Sequence, residues 1–133
     1  EHVHDPIKVL QACYTLLKPG GYLWLETPNI ASEGHRLFGE SWRGLEAPRH
    51  LVIFSFEAMH DALGKAGFAE VETQPYRPFC KGIFNASKAI SDGFDPYLMP
   101  ERNVPSRFVR GVERIAKRDP ACREFITVKA WRK

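Results

Sequence analysis

Cysteine is scarce in this 133-residue chain, and its three copies, Cys13, Cys80 and Cys122, lie far apart. An odd number with no Cys-x-x-Cys pair excludes a disulfide framework and a zinc knot, and fits a reducing, cytoplasmic setting. No apolar run approaches the roughly 20 residues that cross a bilayer, so no membrane partner is expected. Internal repeats and low-complexity tracts are also missing, which excludes solenoids and long disordered tails. Charge of one sign is weak as well, with a net of only +3. Arg107, Arg110, Arg114 and Lys117 do form a basic stripe, but no aromatic platform accompanies it, so it reads as a solvated face and no nucleic-acid partner is expected.

What is present suits one small globular domain over residues 1–133, with 44% hydrophobic residues for its core. Asp5 can cap orphan amides and Pro6 suits the first helical position, so a helix starts there. Ile7, Leu10, Tyr14 and Leu17 continue it at helical spacing. Pro19 stops it, Gly20 and Gly21 allow a tight turn, and Tyr22 to Leu25 form a short, nearly all-apolar run that predicts a strand covered on both faces. Residues 29–54 show no clear period and carry Gly34, Gly39, Gly44 and Pro48, which predicts a long functional loop.

Ser55 is then expected to cap a helix whose Met59, Leu63 and Ala66 share a face, with Gly67 ending it and Phe68 folding back. Ala69 to Tyr76 alternates Val71, Thr73 and Pro75 with Glu70, Glu72 and Gln74, the pattern of a half-exposed strand. Residues 79–120 predict a helical insertion. It holds a helix over Lys81 to Ile90, a loop through Asp92, Gly93, Asp95, Pro96, Pro100 and Pro105, and a helix capped by Ser106. Val109, Val112, Ile115 and Ala116 of that helix are expected to face inward, and Asp119-Pro120 to end it. Glu124 to Arg132 predicts the last strand.

Several segments in order carry a family resemblance. They are Glu1-His2-Val3-His4-Asp5-Pro6, the Leu16-Leu17-Lys18-Pro19-Gly20-Gly21 turn, Thr27-Pro28-Asn29, Trp42-Arg43-Gly44-Leu45, Pro48-Arg49-His50-Leu51 and Ala66-Gly67-Phe68. Together they resemble the second half of a class I S-adenosylmethionine-dependent methyltransferase, of the small-molecule kind acting in ubiquinone biosynthesis or on cell-surface sugars. The resemblance implies an α/β fold, an incomplete Rossmann-like methyltransferase fold with a three-stranded mixed sheet and flanking helices. In it the last strand pairs antiparallel with Ala69 to Tyr76 and lies beside Tyr22 to Glu26. It also implies S-adenosylmethionine as cofactor, a small-molecule methyl acceptor, and oxygen as the attacked atom.

The family's Gly-rich donor turn has no counterpart, because the ten glycines include no Gly-x-Gly-x-Gly arrangement. The chain is therefore expected to be a C-terminal part of a longer enzyme and inactive alone. Its Tyr22 to Glu26 strand would then be an open edge able to self-associate. Two alternatives stand beside this: a non-catalytic interaction module pairing through that edge, and a basic module binding an anionic ligand.

His50 is the candidate catalytic residue, since an imidazole titrating near ~6.5 could take a proton from an acceptor hydroxyl; the competing reading is a loop histidine that bonds backbone. Arg49 could bind an acidic acceptor or brace the loop against Glu46 or Glu57. Trp42 could pack on the acceptor or anchor the loop. Asn29 lies at the carboxyl end of a strand, where open α/β sheets place ligands, or serves as a turn former. Glu1 and His2 match the family's Glu-His near the meeting point of donor and acceptor, which makes them the cofactor-binding candidates. Two ligands hold a hard cation poorly, so no metal site is expected. The insertion at residues 79–120 is expected to shape acceptor choice, with Phe84 and Tyr97 as its test positions.

Overall fold

The computed structural model describes residues 1–98 and 103–133, so Pro100 of the expected loop lies outside the described residues. Helix α1 (Pro6–Leu16) begins where the sequence places it, with the Asp5 carboxylate accepting the Lys8 amide at 3.0 Å. Leu10 is buried, and Ile7, Tyr14 and Leu17 pack against the same core. The far end of the helix is closed from a distance. The Arg132 guanidinium donates to the carbonyls of Tyr14, Thr15 and Leu17 at 3.1, 2.9 and 2.7 Å, supplying partners for acceptors that a helix end leaves orphaned.

Strands β1 (Tyr22–Pro28), β2 (Glu70–Thr73) and β3 (Phe125–Trp131) form one sheet in the order β1-β3-β2. The mixed sheet expected from sequence is corrected here: β3 lies in the middle and runs antiparallel to both neighbours, with Trp131 opposite Tyr22 on one side and Glu70 on the other. β2 is shorter than expected, since Pro75 has no amide to give a ladder. The expectation that β1 is covered on both faces is corrected too. Leu23 and Leu25 face the core, but Tyr22 and Trp24 are 50% and 48% exposed. Helices α1 and α3 (Phe56–Lys65) both contribute to a single core cluster against Ile126, Val128 and Ala130 of β3, leaving the other face of β1 open.

Helix α3 is capped by the Ser55 hydroxyl, which accepts the Ala58 amide at 3.2 Å, and buries Met59, Ala62 and Leu63. Gly67 then turns the chain at φ +105°, where a Cβ would sit 3.3 Å from the Tyr14 ring. This lets Phe68 fold back edge-on to Tyr14 at 5.2 Å.

The stretch expected as an unbroken loop contains helix α2 (Glu33–Phe38), capped by the Ser32 hydroxyl, and 3₁₀ turns at Gly39–Ser41 and Arg43–Leu45. Six residues are too few for a helical period to register in sequence. Helices α4 (Cys80–Ser91) and α5 (Ser106–Arg118) build a second apolar cluster from Cys80, Phe84, Val104, Val109 and Val112, joined by Phe38 of α2. Two details of α5 differ from expectation. Ser106 is its first residue and not its cap, and Ile115 is 45% exposed because it falls one position off the Val109, Val112, Ala116 stripe.

Candidate active site at the end of strand β1

The carboxyl end of β1 is where residues 1–2 meet the segment leading into α3. The Glu1 carbonyl accepts the amides of Leu51 and Val52 at 2.7 and 3.4 Å, and its carboxylate accepts the Thr27 hydroxyl at 2.9 Å. His2 Nδ1 lies 3.1 Å from the Arg49 carbonyl, and His50 Nδ1 lies 2.7 Å from the Gly44 carbonyl. Carbonyls only accept, so both rings are assigned a proton on Nδ1. Each ring then turns Nε2 toward a carboxylate: His2 to Glu1 Oε1 at 3.6 Å, His50 to Glu46 Oε2 at 3.5 Å. The two imidazoles meet edge to face with centroids 4.7 Å apart.

Glu46 is the hub beneath His50. It sits at φ +38°, forms ion pairs with Arg43 at 2.9 Å and Arg49 at 2.6 Å, and accepts the Tyr97 hydroxyl at 2.7 Å. The Arg43 hydrogen bond outweighs partial burial and, with Tyr97 and Arg49, holds the Glu46 carboxyl down at about 2. Arg43 also donates to the Tyr97 hydroxyl and stacks over its ring at 4.8 Å. Tyr97, from the insertion, therefore reaches the segment carrying His50. Phe84 does not, being fully buried in the second apolar cluster.

Glu1, His2 and His50 each offer one donor atom, all within 4.8 Å of one another. Two imidazoles and a carboxylate suit a first-row divalent ion better than calcium or magnesium. His4 takes no part in this cluster. Beside it opens an apolar groove of about 190 Å³, lined by Glu1, Val3, Leu10, Leu25, Thr27 and Phe54 among others.

Asn29 and Trp42 converge elsewhere. Asn29 is fully buried, its amide nitrogen donates to the carbonyls of Ala121 and Arg123 at 2.8 Å each, and its oxygen accepts the Ala31 amide at 3.0 Å. Trp42 is 1% exposed and its indole N–H donates to Glu124 at 2.8 Å. The other Glu124 oxygen accepts the Gly34 amide at 2.8 Å. Burial pushes the Glu124 carboxyl up, while the Trp42, Gly34 and Ser32 donors pull it back.

The family described as "Methyltransferase domain" matches residues 1–73, more than half of the chain. The chain belongs to this methyltransferase-domain family. The matched span holds Glu1, His2, Glu46 and His50. Over shorter stretches the methyltransferase domain is similar to curated proteins named ubiquinone biosynthesis O-methyltransferase. It is 59% identical over 29 residues to the one from Paraburkholderia phymatum, covering 22% of this chain and 12% of that protein. It is 49% identical over 37 residues to the one from Colwellia psychrerythraea, covering 28% and 15%. These matches thus span less than a sixth of the relatives' own length. Among solved structures, an SAM-dependent methyltransferase from Thermotoga maritima, described as a possible histamine N-methyltransferase, aligns over 98% of this chain and 50% of its own. The TM-score is 0.51 and the identity 20%, a likeness of fold. The Rossmann-like α/β architecture expected from sequence is accordingly the architecture of this domain.

Within the methyltransferase domain, then, Glu1, His2, Arg49 and His50 come together, whereas Asn29 and Trp42 belong to a separate buried cluster. From sequence Glu46 stands only as a brace for Arg49, a pairing the structure contains, and Tyr97 only as a test position in the insertion, while Glu124 is not singled out. The spacing Arg43-x-x-Glu46-x-x-Arg49 is a usable signal for the first. Glu124 has none, since its partners are 82 and 90 positions away.

Proposed function

We propose that this chain supplies the acceptor side of an S-adenosylmethionine-dependent methyltransferase that transfers a methyl group to an oxygen of a small molecule. The observation that carries the reading is the meeting of His50 with Glu1 and His2 at the carboxyl end of β1, where open α/β sheets place ligands, inside the span matched by the family. The names of the curated relatives favour oxygen as the attacked atom.

The residues present do not complete a donor cradle: no Gly-x-Gly-x-Gly arrangement exists among them. Glu1 and His2 stand at the border where donor and acceptor would meet. His50 takes the acceptor's proton at Nε2, and the resulting imidazolium is held as an ion pair by Glu46, 3.5 Å away. Arg49 braces the segment through its ion pair with Glu46 at 2.6 Å, and its side chain, 64% exposed, could exchange that partner for an acidic acceptor. Asn29 and Trp42, the two substrate-binding candidates whose polar atoms are spent inside the protein, position the segment instead of touching the acceptor.

Calorimetric titration of S-adenosylmethionine into the chain, with an amide NMR spectrum to establish folding, tests the reading. A folded chain that binds no donor, or binds it only weakly, is expected. Micromolar binding would overturn the assignment of the acceptor side alone.

A second reading, an interaction module, is favoured by the outer edge of β1, which no strand pairs among the described residues, beside the half-exposed Tyr22 and Trp24. A dimer that forms with rising concentration in sedimentation equilibrium, and is lost in Trp24→Lys, would support it. A monomer at all concentrations would sink it.

A further inference from the structure

Charge is distributed unevenly over this protein. Helix α5 holds Arg107, Arg110, Arg114, Lys117 and Arg118 against one carboxylate, Glu113, while the whole chain carries only +3; everything outside α5 is therefore net negative. Three of these cations, Arg110, Arg114 and Lys117, line an open groove of about 400 Å³ together with Tyr76, Pro78 and Glu113. None of the three is in an ion pair among the described residues, whereas Arg36, Arg43, Arg49 and Arg77 each have a carboxylate partner. Among the described residues, Tyr76 and Pro78 of the facing wall bring no carboxylate to the groove. The Tyr76 ring is backed by the Arg123 guanidinium at 5.6 Å, and its hydroxyl is engaged with the Cys80 sulfur at 3.5 Å.

We propose that this groove binds a multiply charged, phosphate-bearing anion. Along the helix Arg110 and Arg114 are about 6 Å apart and Lys117 about 4.5 Å further on, a row that one carboxylate does not fill but two linked phosphate groups do. Guanidinium forks match phosphate oxygens in pairs, and the unpaired ammonium adds a point charge at the end of the row. Glu113 at the groove sets the limit, turning away weakly charged anions while three cations outweigh it for a strong one. A free diphosphate-type compound and a lipid headgroup carrying two phosphates share this chemistry. The site stands apart from the Glu1, His2 and His50 cluster and does not depend on the methyl-transfer reading.

The test is titration of the chain with inorganic pyrophosphate, followed by amide NMR, beside co-sedimentation with cardiolipin vesicles. Both are repeated in the exposed-surface variant R110Q/R114Q/K117Q and in the control R107Q/R118Q, which removes charge from the same helix outside the groove. Pyrophosphate binding is expected, with shifts at residues 110–117, weakened about tenfold or more in the triple variant and about threefold or less in the control. Vesicle binding lost only in the triple variant, without pyrophosphate binding, assigns the same site to a lipid headgroup. Equal losses in both variants would overturn the proposal by showing a response to net charge. Binding of neither probe would overturn it as well.

Discussion

The indole N–H of Trp42 donates to the buried carboxylate of Glu124 at 2.8 Å, across 82 positions of sequence. That bond ties the turn before His50 to the start of β3, so the placement of the proposed base rests on a residue at the opposite end of the chain. Trp42→Phe keeps the apolar ring but leaves a buried acceptor short of a donor. The expected loss is about 2 kcal/mol in urea denaturation. A variant as stable as the parent would show that the bond contributes nothing.

Arg132 gives a similar long-range tie at the end of α1. Arg132→Met removes one donor group serving three helix carbonyls while keeping much of the stem, and about 1–3 kcal/mol of stability is expected to go with it. Arg132→Lys should recover little, because an ammonium cannot reproduce the planar fork. Hydrogen exchange localises the effect: the last turn of α1 should lose protection before the sheet does.

Glu46 predicts a pH dependence with a definite sign. Its carboxyl is held at about 2 in the folded protein, below its ordinary value of 4.5. The stability it contributes is therefore fully present above about pH 4.5 and is lost as pH falls through 2. Glu46→Gln should be less stable than the parent at neutral pH, and the gap should narrow steadily below pH 4.5. Thermal melts of both proteins across that window provide the check, and a constant gap would refute the assignment.

His50→Gln tests the proposed proton transfer in an active enzyme carrying this segment. Loss of a general base should lower kcat by about a hundredfold or more while KM for the acceptor changes little. Glu46→Gln should act in the same direction and shift the acid limb of the pH–rate profile. Should kcat be unchanged in His50→Gln, the histidine serves the backbone alone.

Much of the α/β scaffold was legible because its signals are local. Asp5 and Pro6 announce α1, Ser55 announces α3, and Gly67 with Phe68 closes that helix, each within a few residues of the event it controls. The all-apolar look of Tyr22 to Leu25 misled, since sequence does not say how many faces of a strand its helices will cover. Helix α2 was hidden by its shortness. In the site, the Pro-Arg-His-Leu segment and the Glu-His pair were visible as motifs. The role of Asn29 was not, because a buried amide clasping Ala121 and Arg123 looks from sequence like any residue ending a strand. Glu124 and Arg132 act across some 80 to 120 positions, and no local pattern marks them.

Strand β3 lies between β1 and β2, yet is the last of the three to be made. Tyr22 waits for Trp131, and Pro28 for Phe125, before either has a partner. During synthesis the edge of β1 that faces β3 therefore leaves the ribosome nearly a hundred residues ahead of its partner. This ladder cannot close before β3 is made, and removing that one strand would take the ladder from both neighbours at once.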